Sequence, residues 1–202
     1  IKTMNHIVLD IETQNLFSDV GGQENLTKLL LSVAGVYSYA DKDFHTFTEE
    51  NLPIFEKMLE KTDLIIGFNI NHFDLPILQK YFKVNLSKIP VLDIMTEVVN
   101  AIGHRVSLDD LLINTLNKRK SSTGLLAVQY FKEGRINELK KYCLDDVRLT
   151  RDLYEHGLQN GEIKFIARDA NLPYIKTIKV DWTKYSDFKT ETAGYRVQNL
   201  FE

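Results

Sequence analysis

The stretch His6-Ile7-Val8-Leu9-Asp10-Ile11-Glu12-Thr13 places two acids at the end of an apolar run, and this constrains the fold more than any other feature of the chain. Side chains alternate across a strand, so Asp10 and Glu12 point the same way, and they follow the apolar run Ile7-Val8-Leu9 that should bury that strand. Two like charges side by side in a half-buried place need a cation. The same conflict recurs near the other end. From about Glu138 to Tyr154 the residues Leu139, Tyr142, Cys143, Leu149 and Leu153 form the apolar stripe of a helix. Asp146 falls in the middle of that stripe, one turn after Tyr142. An acid there is costly unless it is paired or bound to metal. Between these two, Asp74 ends the segment Gly67-Phe68-Asn69-Ile70-Asn71-His72-Phe73-Asp74. It reads either as a further acid of the same group or as the N-cap of a helix that Leu75-Pro76-Ile77-Leu78 begins.

Taken singly, each acid has a bland reading: a chance Asp-x-Glu, a helix cap, a solvated Asp145-Asp146 pair. Their joint occurrence, in this order and on strand, loop and helix in turn, is what points to chemistry. Asp10-Ile11-Glu12-Thr13, Gly67-Phe68-Asn69 through Phe73-Asp74-Leu75-Pro76, and Tyr142-Cys143-Leu144-Asp145-Asp146 resemble the three motifs of the DEDD superfamily of 3'-5' exonucleases. The subgroup is the one with Tyr rather than His in the third motif, and the likeness is closest to the proofreading domain of family B DNA polymerases. Lys120-Ser121 and Gly134 also read like the family, and the resemblance covers about residues 5 to 156. It implies a ribonuclease-H-like fold, a mixed sheet with helices on both faces. It also implies a metal-dependent enzyme that removes nucleotides from single-stranded DNA or RNA 3' ends and releases 5'-monophosphates.

Oxygen ligands without a His or Cys cluster select Mg²⁺ or Mn²⁺ over Zn²⁺. Two ions roughly 4 Å apart can clamp a scissile phosphate, one activating water and the other steadying the leaving oxygen. By the resemblance, Asp10 bridges both ions, Glu12 and Asp146 complete the first, and Asp74 reaches the second through waters. Tyr142 is then an orienter of water; otherwise it is an ordinary core aromatic. Thr13, Asn69, Phe73 and Lys120 are candidate substrate contacts, although Phe73, like Phe68, also reads as core.

At 202 residues, 44% of them hydrophobic, the chain is long enough for one full core. Residues 1–157 are expected to form the exonuclease domain, and 158–202 a C-terminal hairpin and tail packed on it. No apolar run reaches membrane-span length and no signal peptide is visible, and the single Cys143 lies on the buried stripe, so a reducing, cytoplasmic setting is the simplest expectation. Ile1 precedes Met4, which suits either extra leading residues or a piece of something longer. The net charge of −3 argues neither for nor against nucleic acid, because clustered acids count against the total until they bind cations. Between Lys118 and Lys141, seven cations (Lys118, Arg119, Lys120, Lys132, Arg135, Lys140, Lys141) stand against Glu133 and Glu138. They form either a phosphate track or a solvated helix face with internal pairing.

The expected elements are strands at 5–12, 31–39, 43–48 and 63–68, then helices at 51–61, 74–82, 93–102, 107–116, 124–132 and 138–156. Ser107 and Asp110 are spaced as a capping box, and Gly157 and Gly161 are expected to close the last helix. Strands at 163–167 and 175–180 follow around a turn at Asn171-Leu172-Pro173. The tail carries Trp182, Tyr185, Phe188, Tyr195 and Phe201, which either pack back or belong to a partner surface, as in a larger replication or repair assembly. The rival to the enzyme is a non-catalytic nucleic-acid- or protein-binding module of a helicase or polymerase. Endonuclease action is a weaker third reading, since no long loops suited to gripping a duplex are evident.

Overall fold

The computed structural model describes residues 5–122, 124–168 and 172–185; Asn171, Phe188, Tyr195 and Phe201 lie outside the described residues. Five strands form one mixed sheet: β1 (His6–Thr13), β2 (Leu31–Ser38), β3 (Asp43–Phe47), β4 (Leu64–Gly67) and β5 (Val91–Asp93), in the spatial order β3-β2-β1-β4-β5. The first three run antiparallel to their neighbours, with Asp10 opposite Gly35, while β4 and β5 add in parallel. Among the described residues six α-helices accompany the sheet: α1 (Leu52–Leu59), α2 (Asp74–Leu78), α3 (Ile94–Ile102), α4 (Leu108–Leu116), α5 (Gly124–Lys132) and α6 (Ile136–Asn160). This is the expected ribonuclease-H-like α/β arrangement with its C-terminal hairpin, β6 (Glu162–Ala167) and β7 (Tyr174–Lys179).

The alternation along β1 sorts its residues as the pattern requires. Ile7, Leu9 and Ile11 join Phe55, Leu59, Ile77 and Leu78 in the core under α1 and α2. Val8 joins the core on the other face, with Ile66, Leu111, Val147 and Leu153 from β4, α4 and α6. Asp10 and Glu12 continue the Val8 row and so face α6. That helix can lie close to the sheet because Gly35 has no side chain: a Cβ there would stand 2.8 Å from the Cys143 Sγ and 3.0 Å from a Val147 methyl. Gly35 pairs with Asp10, so the same close approach brings α6 and its Asp146 against β1.

Gly157 does not end the last helix. α6 continues to Asn160, and Gly161, in the left-handed conformation at φ 65°, is the cap, its N–H bonding to the Gly157 carbonyl. Gly157 is glycine for another reason: the Trp182 ring lies where its Cβ would be, 2.1 Å from one ring carbon. Trp182 is buried and stacks on Tyr154 at 5.7 Å. Just beyond it, Lys184 and Tyr185 both bond to Glu97 of α3. Of the tail aromatics, Trp182 and Tyr185 therefore pack back on the body. Trp182→Ala is expected to cost roughly 3–5 kcal/mol, or about 10 °C in Tm. A change under about 1 kcal/mol in urea denaturation would show that this anchor matters little.

Two further elements differ from the sequence reading. β5 escaped notice because a strand of three residues, Leu92 and Asp93 of them buried, is too short to show alternation and runs directly into α3. The capping box at α4 is only half formed: Ser107 Oγ accepts the Asp110 N–H, but the Asp110 carboxylate instead accepts the Ile166 N–H of β6 at 3.0 Å.

Candidate active site

Asp10, Glu12 and Asp146 each offer a carboxylate oxygen within 4.8 Å of the others, two from the end of β1 and one from the middle of α6. They line a cleft of about 600 Å³ with Thr13, Asn69, Phe73, Asp74, Arg105, Lys120 and Tyr142, among others. All nine residues singled out as catalytic or substrate-binding thus face one space.

Asp74 enters by a route that its helix does not explain. β4 pairs with β1 only as far as Val8, and beyond that point the Ile11 N–H is taken by Asp74 Oδ1 at 3.0 Å. The cap reading is not realised: Phe73 holds the N-cap position and makes no side-chain cap bond. Asp74 therefore bridges α2 to the backbone between Asp10 and Glu12.

Burial, followed by the charges of Asp146, Asp74 and Glu12, pushes the Asp10 carboxyl well above the ordinary carboxylate range; Glu12 is raised by burial and then by Asp146. Asp146 is also raised, chiefly by burial, against the pull of Lys120. Asp74 is pushed up to about 7 by burial, with the Ile11 N–H opposing. The site is short of positive charge. The Lys120 ammonium supplies part of the balance at 2.7 Å from Asp146 Oδ2. Burial alone would lower its pKa, but Asp146, Asp10 and Glu12 outweigh burial and raise it. Asp146 Oδ1 is buried without a hydrogen-bond partner. An orphaned carboxylate oxygen among raised carboxyls is what a hard divalent cation satisfies, and the donor set fits Mg²⁺ or Mn²⁺.

These shifts set a pH dependence for the metal-free protein. A carboxyl whose pKa is higher folded than unfolded keeps its proton in the native state, so stability declines as pH rises from the unfolded value near 4 toward about 7 for Asp74. The decline is expected to be on the order of a few kcal/mol, at about 1.4 kcal/mol per pKa unit. Asp74→Asn keeps an acceptor for Ile11 and should flatten the slope. Urea midpoints measured in chelator from pH 4.5 to 7.5 test this, and stability that rises with pH in that window contradicts it.

Around the acids, Tyr142 donates its hydroxyl to the Ser122 carbonyl at 3.3 Å, and burial followed by the Asp146 charge raises its pKa. Thr13 donates its hydroxyl to the Asn15 carbonyl at 2.8 Å. Phe73 meets Phe17 edge to face at 6.0 Å and forms one wall. Asn69 has a left-handed backbone at φ 63°, held by its N–H on Asp93 Oδ1 at 2.8 Å, and its side-chain oxygen accepts from Arg105 at 2.8 Å. Sequence reading missed Asp93 and Arg105. The signal for Asp93 was present, an Asp ahead of Ile-Met-Thr at a helix start, where it also accepts the Met95 and Thr96 N–H groups. Arg105 stands in a loop with nothing local to mark it.

The cation-rich stretch is largely paired: Lys118 with Asp152, Lys120 with Asp146, Lys132 with Asp19, and Arg135 with Glu133 and Glu138. Among the described residues only Arg135 pairs within the stretch; Lys118, Lys120 and Lys132 reach acids elsewhere in the fold, so these cations are neither an open phosphate track nor a helix face paired with itself. Asp145 pairs with Arg148 at 3.1 Å and takes no part in the cleft.

A fold of this class with acids gathered at the end of its first strand has a counterpart among known families. A 3'-5' exonuclease family model matches residues 1–160, and the chain belongs to that family. No curated protein matches the chain. Among the described residues no helix is long and apolar enough to cross a membrane.

Proposed function

We propose that the protein is a 3'-5' exonuclease of the Tyr type that hydrolyses single-stranded DNA or RNA from the 3' end with two Mg²⁺ or Mn²⁺ ions, releasing nucleoside 5'-monophosphates. The observation that carries this reading is the unpartnered, buried Asp146 Oδ1 beside the raised carboxyls of Asp10 and Glu12. Asp10, Glu12, Asp74 and Asp146 hold the ions, which supply acidified water and Lewis-acid stabilisation of the phosphate. Water attacks phosphorus, the bond to the 3'-oxygen breaks, and that oxygen takes up a proton as the shortened strand's new end. Tyr142 orients the attacking water as a donor, since a phenol of raised pKa keeps its proton at neutral pH. Thr13 and Asn69 position the terminal nucleotide, Phe73 supplies a wall for its base, and Lys120 reaches the phosphate from its place on Asp146.

Residues 158–202 are assigned to the same domain as 1–157, and the setting to the cytoplasm, within a larger replication or repair assembly. The non-catalytic alternative leaves a complete set of acids in one cleft unexplained.

Oligonucleotides labelled at either end, as DNA and as RNA, test the reading in Mg²⁺, Mn²⁺ or chelator. A 5'-labelled single strand should yield a descending ladder, a 3'-labelled strand should release mononucleotide at once, and chelator should stop both. Internal cuts ahead of terminal release, or no cleavage of any strand with either metal, would overturn it.

A further inference from the structure

Lys120 and Arg105 both line the cleft that holds the acids, and they stand on different partners. Lys120 lies 2.7 Å from Asp146 and pulls against the raised pKa of all four acids, so its charge belongs to the reacting end. Arg105 stands on a neutral group instead. Its Nη2 donates to Asn69 Oδ1 at 2.8 Å, and it forms no ion pair among the described residues. A guanidinium has five N–H groups and no acceptor, so the Asn69 amide must turn its oxygen to Arg105, which leaves its NH₂ group to face away. What the pair still offers is donors alone, with a net positive charge. The group of a nucleic-acid strand that accepts without donating and carries negative charge is the phosphate.

Asn69 is in turn held by Asp93. A left-handed backbone at φ 63° is uncommon for a residue with a side chain. The buried Asp93 carboxylate fixes it, Oδ1 accepting the Asn69 N–H at 2.8 Å and Oδ2 the Asn71 N–H at 3.0 Å. The same carboxylate caps α3 through the Met95 N–H at 3.0 Å, and Met95 also lines the cleft. Asp93 thus locks the loop that carries Asn69 to the start of α3, and orientation passes from Asp93 through Asn69 to Arg105.

We propose that Arg105 is a substrate-binding residue, which with Asn69 grips a non-reacting phosphate of the bound strand, and that Asp93 is the positioning residue that holds the pair in place. The proposal rests on the exonuclease reading of the cleft. A contact to a phosphate that does not react is as strong before the reaction as during it, so it acts on KM and leaves kcat nearly alone. An arginine that merely pinned its own loop to Asn69 would affect stability and not strand binding.

The test is fluorescence anisotropy of a labelled DNA octamer in chelator, beside hydrolysis in Mg²⁺. Arg105→Ala should weaken octamer binding and raise KM about ten- to a hundredfold, the worth of a charge-assisted hydrogen bond, with kcat within about threefold and Tm within about 2 °C of wild type. The salt slope of binding should shrink by about 0.7, one single-strand phosphate contact. Octamers with a neutral methylphosphonate at one linkage locate that contact. The wild type should lose about tenfold in affinity at one linkage other than the last, and Arg105→Ala should lose little more there. Asp93→Ser keeps a cap for α3 but is too short to reach Asn69, so it should also weaken binding, and its loss combined with Arg105→Ala should fall short of the product of the two. Where Asp93→Ser does not fold, Asn69→Gly, suited to φ 63°, reads the same coupling. Losses that multiply in full would remove Asp93 and Asn69 as positioning residues. Unchanged affinity, KM and salt slope in Arg105→Ala would overturn the proposal, as would equal sensitivity of both proteins at every linkage, which puts the guanidinium on something other than phosphate. If the wild type cleaves no strand, the exonuclease reading fails, and the anisotropy arms still decide whether Arg105 binds phosphate.

Discussion

Asp10→Ala is expected to abolish hydrolysis, by about 10³- to 10⁴-fold or more if the lost ion contacts are worth several kcal/mol at the transition state. It should also raise the melting temperature of the metal-free protein near pH 8. Both effects have one cause. Asp10 is central to the acids, with its carboxyl pushed up by burial and by Asp146, Asp74 and Glu12, so its negative charge is harmful without a cation and needed with one. The stability gain should shrink toward pH 4, where the unfolded carboxyl also holds its proton and the penalty disappears. Asp145→Asn is the matched control, since Asp145 pairs with Arg148 outside the cleft and its loss should leave most of the activity. Wild-type turnover in Asp10→Ala would remove the catalytic assignment altogether. Near-complete loss in Asp145→Asn would show that the wrong carboxylate of α6 had been chosen.

Tyr142→Phe should lower the rate about ten- to a thousand-fold, the worth of a positioned orienter of a few kcal/mol, while barely touching the fold. The ring stays in its cluster with Val33, Ala127, Leu139 and Cys143. The hydrogen bond to the Ser122 carbonyl is long at 3.3 Å, and the hydroxyl's other partner, the Asp146 carboxylate, keeps its contact with Lys120, so thermal stability should change by no more than about 1 kcal/mol. Affinity for Mn²⁺, measured by calorimetry, should survive because the carboxylates are untouched. Unchanged turnover at saturating Mg²⁺ and Mn²⁺ would reduce Tyr142 to a core aromatic.

Much of the site was legible in the chain. The period of a strand alone puts Asp10 and Glu12 on one face, and the period of a helix alone puts Tyr142, Cys143 and Asp146 on one stripe. Both conclusions hold without knowing what the strand or helix packs against. Ser107 as a cap and the alternation of β6 are legible for the same reason. Gly157 was misread because a glycine near a helix end is locally a stop signal, and only the Trp182 ring, 25 residues on in the chain, gives it another purpose.

What the sequence by itself determined, then, is which acids are turned inward and on which elements, because the backbone's own geometry dictates side-chain direction over a few residues. Tertiary structure alone decided which groups meet. It placed Asp74 on the Ile11 N–H where β4 stops, set Lys120 on Asp146, and brought Arg105 to Asn69. Such meetings depend on how loops close between elements dozens of residues apart and on where a missing side chain, as at Gly35, lets a helix approach a sheet. No local period records either of these.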